Sequence, residues 1–511
     1  MVQYTICTGP ERKARLIEFE IIKSVELCGP QVLLLELPVI MSSTNQNQNK
    51  NNHNQYNKFC EPPMKCKLFP TPTIHRGIRW AKVHVKNAID GSIQTERVWL
   101  IRSDTNAHVA YRKLLTKPPI HSPSNTCIIV PCVVLTRVQD VQGSNVLFEE
   151  PPPPPEDDDE DDNSNNDDMY RHLVCVKKYK KRSIPSTTTT TSDFHVKDGH
   201  VLQTLGNQQQ QNGSIPQALD ILEDDQYVYI VCPYPRFGSL EENLFLHTPS
   251  SLLGGTPNII RHREQKVKVI FRHLFKVIHK LHNHHMICHF NLCPSTIFVN
   301  EDDTLPSSSL SSSSSSPSNS CKLILDDFAL SLMYPTSTTT TTSSSTTTNK
   351  QRRHWIVPQE SILQKQKEYL APELYTKKKF DGPSVDIWVA GVLLFNLLTG
   401  HKLYDFPSQI DPIFAHVITN GGLINKDNIN ERTLDALLNN DNKDIKHRNR
   451  RNPSFPSSTT TSSTERLVEI IFALDSLSFG AKSLMQGMLQ INPNERFSAE
   501  DVLHHPWMTI R

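Results

Sequence analysis

Two stretches in the first half of the chain have the apolar spacing of β-strands. "RHLVCVKKY" (171–179) alternates apolar and polar residues, which is typical of a strand with one buried face. "YVYIVCPY" (227–234) is a continuous apolar and aromatic run, which favours a strand buried on both faces. The patterned segments up to about residue 235 therefore predict mainly strands.

The patterned segments of the second half predict helices. In 266–284, apolar residues recur at the three- and four-residue spacing of one helix face. Residues 385–400 are apolar all round and end in Gly400, which indicates a buried helix with a glycine stop. Two further helices are predicted at 478–489 and 498–507. The pattern as a whole predicts an α+β fold with two lobes, the first rich in strands and the second helical.

Low-complexity insertions interrupt the patterned segments. They consist of prolines, acidic residues, serines and threonines, whose side chains bury too little apolar surface to offset the entropy of ordering. We therefore expect disordered surface loops in these places. The insertions cover 151–168, 306–320, 336–348 and 440–464.

Composition narrows the class of protein further. The chain has 511 residues and a formal net charge of +1, so no global charge draws it to nucleic acid or to an anionic membrane. The longest apolar stretches, 31–41 and 387–398, are short for a membrane span, and the N-terminus does not read as a secretory signal. The 11 cysteines are scattered without zinc-site spacing, which favours reduced thiols in a cytoplasmic or nuclear protein.

The first candidate functional residue lies on the strand predicted at 171–179. This strand carries "VCVK", ending at Lys177, and "DGHVLQTL" follows with Asp198 ahead of apolar residues at helical spacing. An ordinary basic strand end would look similar, because further lysines crowd Lys177. The order of elements nevertheless resembles the eukaryotic protein kinase domain, in which a strand lysine in V-A-I-K pairs with a glutamate on the next helix. The resemblance implies that Lys177 and Asp198 face the ATP phosphates, with Cys232 as gatekeeper and Tyr234 in the hinge.

"HFNLCPST" (289–296) is either a damaged catalytic loop or an unrelated buried strand. The family pattern is H-R-D-L-x-x-x-N. His289 matches the histidine, whereas Phe290 replaces the arginine. Asn291 takes the place of the catalytic aspartate, and Thr296 that of the metal-binding asparagine. The order of the surrounding motifs favours a catalytic loop that has lost its chemistry.

The later motifs resemble the family more closely. "LDDFALS" matches D-F-G with alanine for glycine, which implies that Asp327 binds magnesium. "APE" supplies Glu373, and "NPNERFSAEDVLHHPW" supplies Arg496, which in the family pairs with that glutamate. Asp386 matches the aspartate that opens the large buried helix and holds the catalytic loop.

The glycine-rich loop that covers the ATP phosphates is not visible. No glycine lies between Thr116 and Gln142, and the candidate for that hairpin is 75–102, with Gly77 as a relic. Residues 1–70 match nothing recognisable. The resulting division is an unassigned region at 1–70 and a kinase-like domain at 71–511, with lobes at about 75–234 and 235–511.

The departures from the family pattern fall on residues that take part in catalysis, whereas the residues that hold the second lobe together, Glu373, Asp386 and Arg496, are kept. We therefore expect a pseudokinase that acts as a scaffold or allosteric binding module in signalling, with protein partners and neither nucleic acid nor membrane. The alternative is a weak or atypical serine/threonine kinase that uses Lys177 and Asp327. The resemblance implies ATP and magnesium as cofactors. We expect weak or absent binding, because the glycines of the phosphate-covering loop are missing and the Thr296 side chain is shorter than the metal-binding asparagine of the family.

Overall fold

The computed structural model describes the residues from 67 onward, with gaps, and all of them fall in the unit Pro62–Arg511. The insertions predicted at 306–320 and 336–348 lie outside the described residues, as does all of 151–168 except its first residue. The described ranges are 67–103, 109–138, 147–151, 172–181, 194–208, 213–235, 238–245, 257–299, 323–334, 355–356, 367–376, 380–408, 411–419, 422–423 and 463–509.

One predicted boundary is wrong. The insertion expected at 440–464 ends too late, because Ser463 begins a helix, Ser463–Ser476, and Thr464 lies in its first turn. Serine and threonine are favoured at helix N-termini, so a Ser/Thr tract can run directly into a helix. The remainder of 440–464 lies outside the described residues.

The first lobe is a mixed sheet in which the strand that carries Lys177 has a paired strand on each side. β7 pairs antiparallel with β5 on one side and with β9 on the other. The strands are β1 (His75–Lys86), β2 (Ile93–Arg102), β3 (Val109–Lys113), β4 (Ile120–His121), β5 (Ile128–Val138), β6 (Leu147–Glu149), β7 (Leu173–Lys180), β8 (Asp220–Glu223) and β9 (Tyr227–Pro233).

Backbone pairing closes seven of these strands into a ring. The order β1–β2–β3–β5–β7–β9–β8 returns to β1 through a short parallel contact in which His75 pairs with Leu222 and Arg76 with Glu223. Alternate residues of the ring strands form a buried cluster, which accounts for the apolar runs in β7 and β9. Its members are Trp99, Leu100, Tyr111, Val130, Cys132, Val174, Val176, Leu222, Tyr229 and Val231.

The hairpin expected at 75–102 exists, but it is not the phosphate-covering hairpin. Its strands, β1 and β2, pair with each other, whereas the neighbours of the lysine strand are β5 and β9. Gly77 has a packing reason instead. A Cβ at this position would lie 3.1 Å from the Leu222 Cβ and 3.3 Å from the Leu100 Cδ1, where β1 approaches the inside of the ring.

The second lobe is helical and carries four two-stranded ladders. Among the described helices, one precedes this lobe: α1 (Phe194–Gln208), which packs beside the sheet. The described helices are α1 (Phe194–Gln208), α2 (Leu240–Phe245), α3 (Pro257–Asn283), α4 (Glu373–Thr376), α5 (Gly382–Thr399), α6 (Pro412–Val417), α7 (Ser463–Ser476), α8 (Phe479–Met488), α9 (Ala499–His504) and α10 (Pro506–Thr509). The ladders pair β10 (Ile287–Cys288) with β13 (Leu332–Met333), β11 (Ile297–Val299) with β12 (Leu323–Leu325), β14 (Trp355–Ile356) with β15 (Phe380–Asp381), and β16 (Ile418–Thr419) with β17 (Gly422–Leu423).

The core of the second lobe is built around α5. Pro383 lies in its first turn, and Gly400 ends it at φ 75°, where its N–H bonds the Asn396 carbonyl, as the glycine stop predicts. Nearly every residue of α5 is buried. Among the described helices, α5 alone has the length and hydropathy of a membrane span, and its apolar surface is used in packing. The predicted α+β division into a strand-rich first lobe and a helical second lobe is confirmed.

Candidate active site

Lys177 lies on β7 with its ammonium between two carboxylates. Its Nζ is 2.8 Å from Asp198 on α1 and 2.6 Å from Asp326 after β12. Burial disfavours the ammonium, but the two carboxylates outweigh burial and hold the pKa of Lys177 well above its ordinary value. The ion pair implied by the kinase resemblance therefore forms even with aspartate in place of the longer glutamate.

Asp198 is held from several directions. The Tyr179 hydroxyl donates to its Oδ2 at 2.7 Å, and the Phe328 N–H donates to its Oδ1 at 3.0 Å. Asp198 thus links the lysine strand, helix α1 and the turn that follows β12. Asp326 and Tyr179 were missed by sequence reasoning. The doubled aspartate in "LDDF" was the signal available for Asp326.

The 289–296 segment is anchored by Asp386, as the kinase resemblance implies for a catalytic loop. The Asp386 carboxylate accepts the His289 N–H at 2.7 Å and the Phe290 N–H at 2.8 Å, and it also bonds His282 Nε2 at 2.9 Å. These contacts hold Phe290 at φ 60°, a left-handed conformation that side chains rarely adopt. His289 reaches the Asp326 carbonyl through Nε2 at 3.1 Å, and burial lowers the pKa of His289, which favours the neutral ring.

Two residues of this loop stand at metal-binding or catalytic positions. Asn291 Nδ2 donates to Asp327 Oδ2 at 3.1 Å, so the loop and the D-F-G turn do meet. Thr296 is turned toward the loop itself, because its hydroxyl bonds the Asn291 and Cys293 carbonyls, each at 3.0 Å. In the part of the chain that the structure describes, Asn291 is therefore brought to Asp327 and Thr296 is not.

Asp327 is buried at the centre of the site and has φ 64°. Its carboxylate accepts from the Ser124 N–H and from the Ser124 hydroxyl, both at 2.7 Å, as well as from Asn291. Burial, helped by the Asp198 charge and opposed by Lys177, raises the pKa of Asp327 to about 6. Both carboxylate oxygens thus have protein donors.

The donor Ser124 belongs to residues 122–127, here called the serine loop, which joins β4 to β5. The Ser122 N–H bonds the Cys127 carbonyl, and the Ser122 hydroxyl accepts the Thr126 and Cys127 N–H groups. Asn125 completes the turn at φ 53°. Because β5 pairs with the lysine strand, the serine loop occupies the place expected of a phosphate-covering loop. Sequence reasoning missed it because no glycine marks it.

Cys232 and Tyr234 lie where the lysine strand meets the end of β9. Cys232 is buried and pairs across the ladder with Cys175, and burial raises the pKa of its thiol. Tyr234 follows β9, and its hydroxyl accepts a hydrogen bond from Lys117 Nζ at 2.9 Å. The Lys117 ammonium also lies 4.5 Å from the centre of the Tyr234 ring, so a residue from the β3–β4 connection covers the hinge.

The predicted structural pair also forms. The Arg496 guanidinium meets the Glu373 carboxylate at 2.7 and 3.1 Å, and both side chains are almost completely buried. Arg496 further donates to the Ser384 and Gln490 carbonyls and lies 5.0 Å from the Trp388 ring centre. The pair therefore joins helix α4 to α5 and to the turn before α9.

These elements are those of a protein kinase domain. A sequence profile described as "Protein kinase domain" matches residues 165–508, which is more than half of the chain. The chain therefore belongs to the protein kinase domain family, whose members generally bind ATP and magnesium.

Curated relatives are similar over shorter stretches. The probable serine/threonine-protein kinase MARK-A of Dictyostelium discoideum is 25% identical over 141 residues, 28% of this chain and 9% of that protein. The ribosomal protein S6 kinase alpha-6 of Mus musculus is 27% identical over 148 residues, 28% of this chain and 13% of its own length. The mitogen-activated protein kinase mpkC of Emericella nidulans is 29% identical over 152 residues, 30% of this chain and 32% of its own length. The matches thus span less than a third of each of these relatives.

Proposed function

We propose that this protein is a pseudokinase that serves as a scaffold or allosteric binding module in signalling. The observation that carries the proposal is the occupation of both Asp327 oxygens by Ser124 and Asn291. A magnesium ion would have to share these oxygens with the hydrogen-bond donors or displace them. The described residues therefore fit an internal hydrogen-bonded network better than a metal–nucleotide complex.

The catalytic position supports the same proposal. The Asn291 amide cannot accept the proton of a substrate hydroxyl, and a positioned general base is worth about 10²–10⁴ in rate. Instead, the amide donates a hydrogen bond to Asp327. Thr296, at the second metal-binding position, bonds the loop backbone. The residues that would move the proton and hold the metals are therefore engaged in holding the loop together.

A second candidate function is a weak or atypical serine/threonine kinase. The contact that favours it is the Lys177–Asp198 ion pair at 2.8 Å, since the equivalent pair in active kinases positions the ATP phosphates. The relatives' names point to the same class of reaction. Lys177 also binds Asp326 here, so its ammonium already has two carboxylate partners.

The test is a phosphotransfer assay on the full chain with γ-labelled ATP, a generic protein substrate, and magnesium or manganese. We expect no transfer above that of the Asp327→Asn variant. We also expect ATP with magnesium to raise the melting temperature little, because ligand stabilisation requires concentrations well above Kd. Transfer by the wild type that Asp327→Asn and Lys177→Met both abolish would replace the pseudokinase proposal with the second candidate.

The partners and the compartment are part of the same proposal. We expect protein partners in the cytoplasm or nucleus, since the +1 net charge gives no general attraction to nucleic acid or anionic membranes. Proximity labelling with the full chain, compared with the Glu373→Ala variant, would identify them. Labels found mainly on membrane or secreted proteins would contradict this assignment.

A further inference from the structure

A continuous run of aromatic rings and lysines lies at one end of the strand ring. The Lys113 ammonium is 5.3 Å from the centre of the Trp80 ring and 4.7 Å from that of Trp99. Trp99 meets Tyr229 edge to face at 5.8 Å, and Tyr229 lies 6.2 Å from Tyr227. Lys178 closes the run, 3.8 Å from the centre of the Tyr227 ring. Trp99 and Tyr229 are buried inside the ring, whereas Trp80 is exposed and Lys113, Lys178 and Tyr227 are half-buried. We call Trp80, Tyr227 and the two lysines the cation–aromatic surface, with the buried rings beneath them.

The two lysines of this surface are not neutralised within the described part of the chain. Neither Lys113 nor Lys178 forms an ion pair there, although six other lysine and arginine side chains of the first lobe do. Burial and, second, the neighbouring Lys178 charge lower the pKa of Lys113, so the two ammonium groups repel each other. Among the described residues, no carboxylate therefore pairs with the two ammonium groups of this surface.

Trp80 adds a second sign of a binding surface. Its side chain is 53% exposed, and its backbone has φ 59° in the middle of β1. A bulky residue in this conformation is strained. Aromatic rings beside lysines suit a partner that brings negative charge and some apolar contact.

The chain carries such a partner itself. Residues 156–162 are seven consecutive aspartates and glutamates, preceded by five prolines. They lie in the 152–171 connection between the described ends of β6 and β7, and β7 is the strand that carries Lys178. From 162 to Lys178 a fully extended chain reaches about 50 Å, whereas the stretch of β7 from Leu173 to Lys178 measures roughly 17 Å. The acidic run can therefore reach the surface.

We propose that the acidic run 156–162 docks in cis on the cation–aromatic surface, with its carboxylates on Lys113 and Lys178. A tether of this length gives an effective concentration in the millimolar range, so ion pairs that are weak between separate molecules suffice. The docked run neutralises the charges of Lys113 and Lys178. It also competes with any acidic partner for these two lysines. This inference is independent of whether the protein transfers phosphate.

The test measures binding of a labelled synthetic peptide, residues 151–168, to full-length proteins by fluorescence anisotropy at low salt. A variant with residues 156–162 changed to asparagine and glutamine is expected to bind the peptide. Wild type should bind it at least about tenfold more weakly, because its own run competes at high effective concentration. In the neutralised background, Lys113→Glu with Lys178→Glu should remove binding, whereas the matched control Lys82→Glu, an exposed lysine of β1, should not.

Each remaining outcome contradicts the proposal. Equal peptide binding by wild type and the neutralised variant would mean that the run does not occupy the surface. Equal loss with Lys82→Glu would mean that the attraction is unspecific. Preferential binding of a single-stranded RNA of the same charge would assign the surface to nucleic acid instead, because bases also stack on aromatic rings beside cations. Melting curves of each variant establish that it is folded.

Discussion

Asp327 is the residue on which the interpretation of the site depends. In an active kinase its carboxylate would be shared with a metal ion, whereas here a serine N–H, a serine hydroxyl and an asparagine amide bind it. Each of these donors is neutral, so they stabilise the buried charge less than a cation would. The pKa of Asp327 stays raised because burial and the Asp198 charge outweigh Lys177 and the Ser124 hydrogen bonds.

The first prediction concerns the pH dependence of stability. The pKa of Asp327 rises from 3.8 to about 6 on folding, so the folded protein takes up a proton where the unfolded chain is still ionised. Lowering the pH from 7 to 5 should therefore stabilise the wild type relative to Asp327→Asn, with the contribution lost again as pH rises through 6. The change between pH 7 and pH 5 is about 1 kcal/mol, because the full effect of about 3 kcal/mol is reached only below the unfolded pKa of 3.8. Urea unfolding of both proteins at pH 5, 6 and 7 measures it, and parallel curves would contradict it.

The second prediction restores the family's residue at position 291. Asn291→Asp would place a second carboxylate beside Asp327 and replace a donor with a like charge. We expect a loss of about 1–3 kcal/mol without metal, partly regained with millimolar magnesium. Asn291→Ala, the control, loses one hydrogen bond and should not respond to magnesium. A metal-free Asn291→Asp protein as stable as wild type would show that the amide contact is unimportant.

At the scale of elements, aromatic packing joins the 289–296 loop to β15, which follows the "APE" motif. The Phe290 ring meets Phe380 of β15 edge to face at 5.6 Å, and β15 pairs with β14. The family's arginine at the Phe290 position can bind a phosphate on the activation segment, and a phenyl ring cannot. At this position the contact between the loop and β15 is therefore apolar.

The third prediction concerns the pair that joins α4 to α5. Glu373→Ala would leave Arg496 buried without its carboxylate, and loss of one partner of such a pair typically costs about 3–5 kcal/mol. The Ser384 and Gln490 carbonyls keep part of the guanidinium satisfied, which favours the lower end. Asp405→Ala is the matched control, because its pair with Arg466 is largely exposed and worth under about 1 kcal/mol. Similar melting temperatures for the two variants would contradict the burial argument.

The extent to which the elements could be predicted from sequence differs between the lobes. The long apolar pattern of 385–400 and its glycine stop specify α5 almost to the residue, because a helix of that length has few alternatives. The serine loop could not be predicted in the same way. Its function depends on Ser124 reaching Asp327, 203 positions along the chain, and no local pattern encodes such a contact. Thr296 shows the same limit, since its position was predictable but the direction of its hydroxyl was not.

At the scale of the whole molecule, the folded unit begins earlier than the family match. The profile starts at residue 165, yet β1 to β6 all precede it, and buried residues of β2, β3 and β5 cover the inner face of β7 and β9. That face carries Val174, Val176 and Tyr229, all buried. An apolar surface of this kind needs a cover to remain soluble.

The fourth prediction compares two truncated chains. Residues 62–511 keep the whole ring, and we expect a soluble protein with cooperative unfolding. Residues 165–511 keep the family match but expose the inner face of β7 and β9, and we expect aggregation. Expression yield, size-exclusion chromatography and thermal melts distinguish the two. Soluble, cooperatively melting 165–511 would mean that the early strands are an accessory layer.

The closure of the strand ring also has a kinetic consequence. β1 meets β8 through residues roughly 150 positions apart, and only two residue pairs make the contact. The search for such distant contacts is slow, because loop entropy is lost before the contact returns any energy. A full chain that refolds from the unfolded state would therefore form its helical lobe first and keep the edges of β1 and β8 unpaired for longer. During that interval a second copy of the chain can offer its own β1, so domain-swapped dimers are the expected by-product of rapid refolding at high concentration.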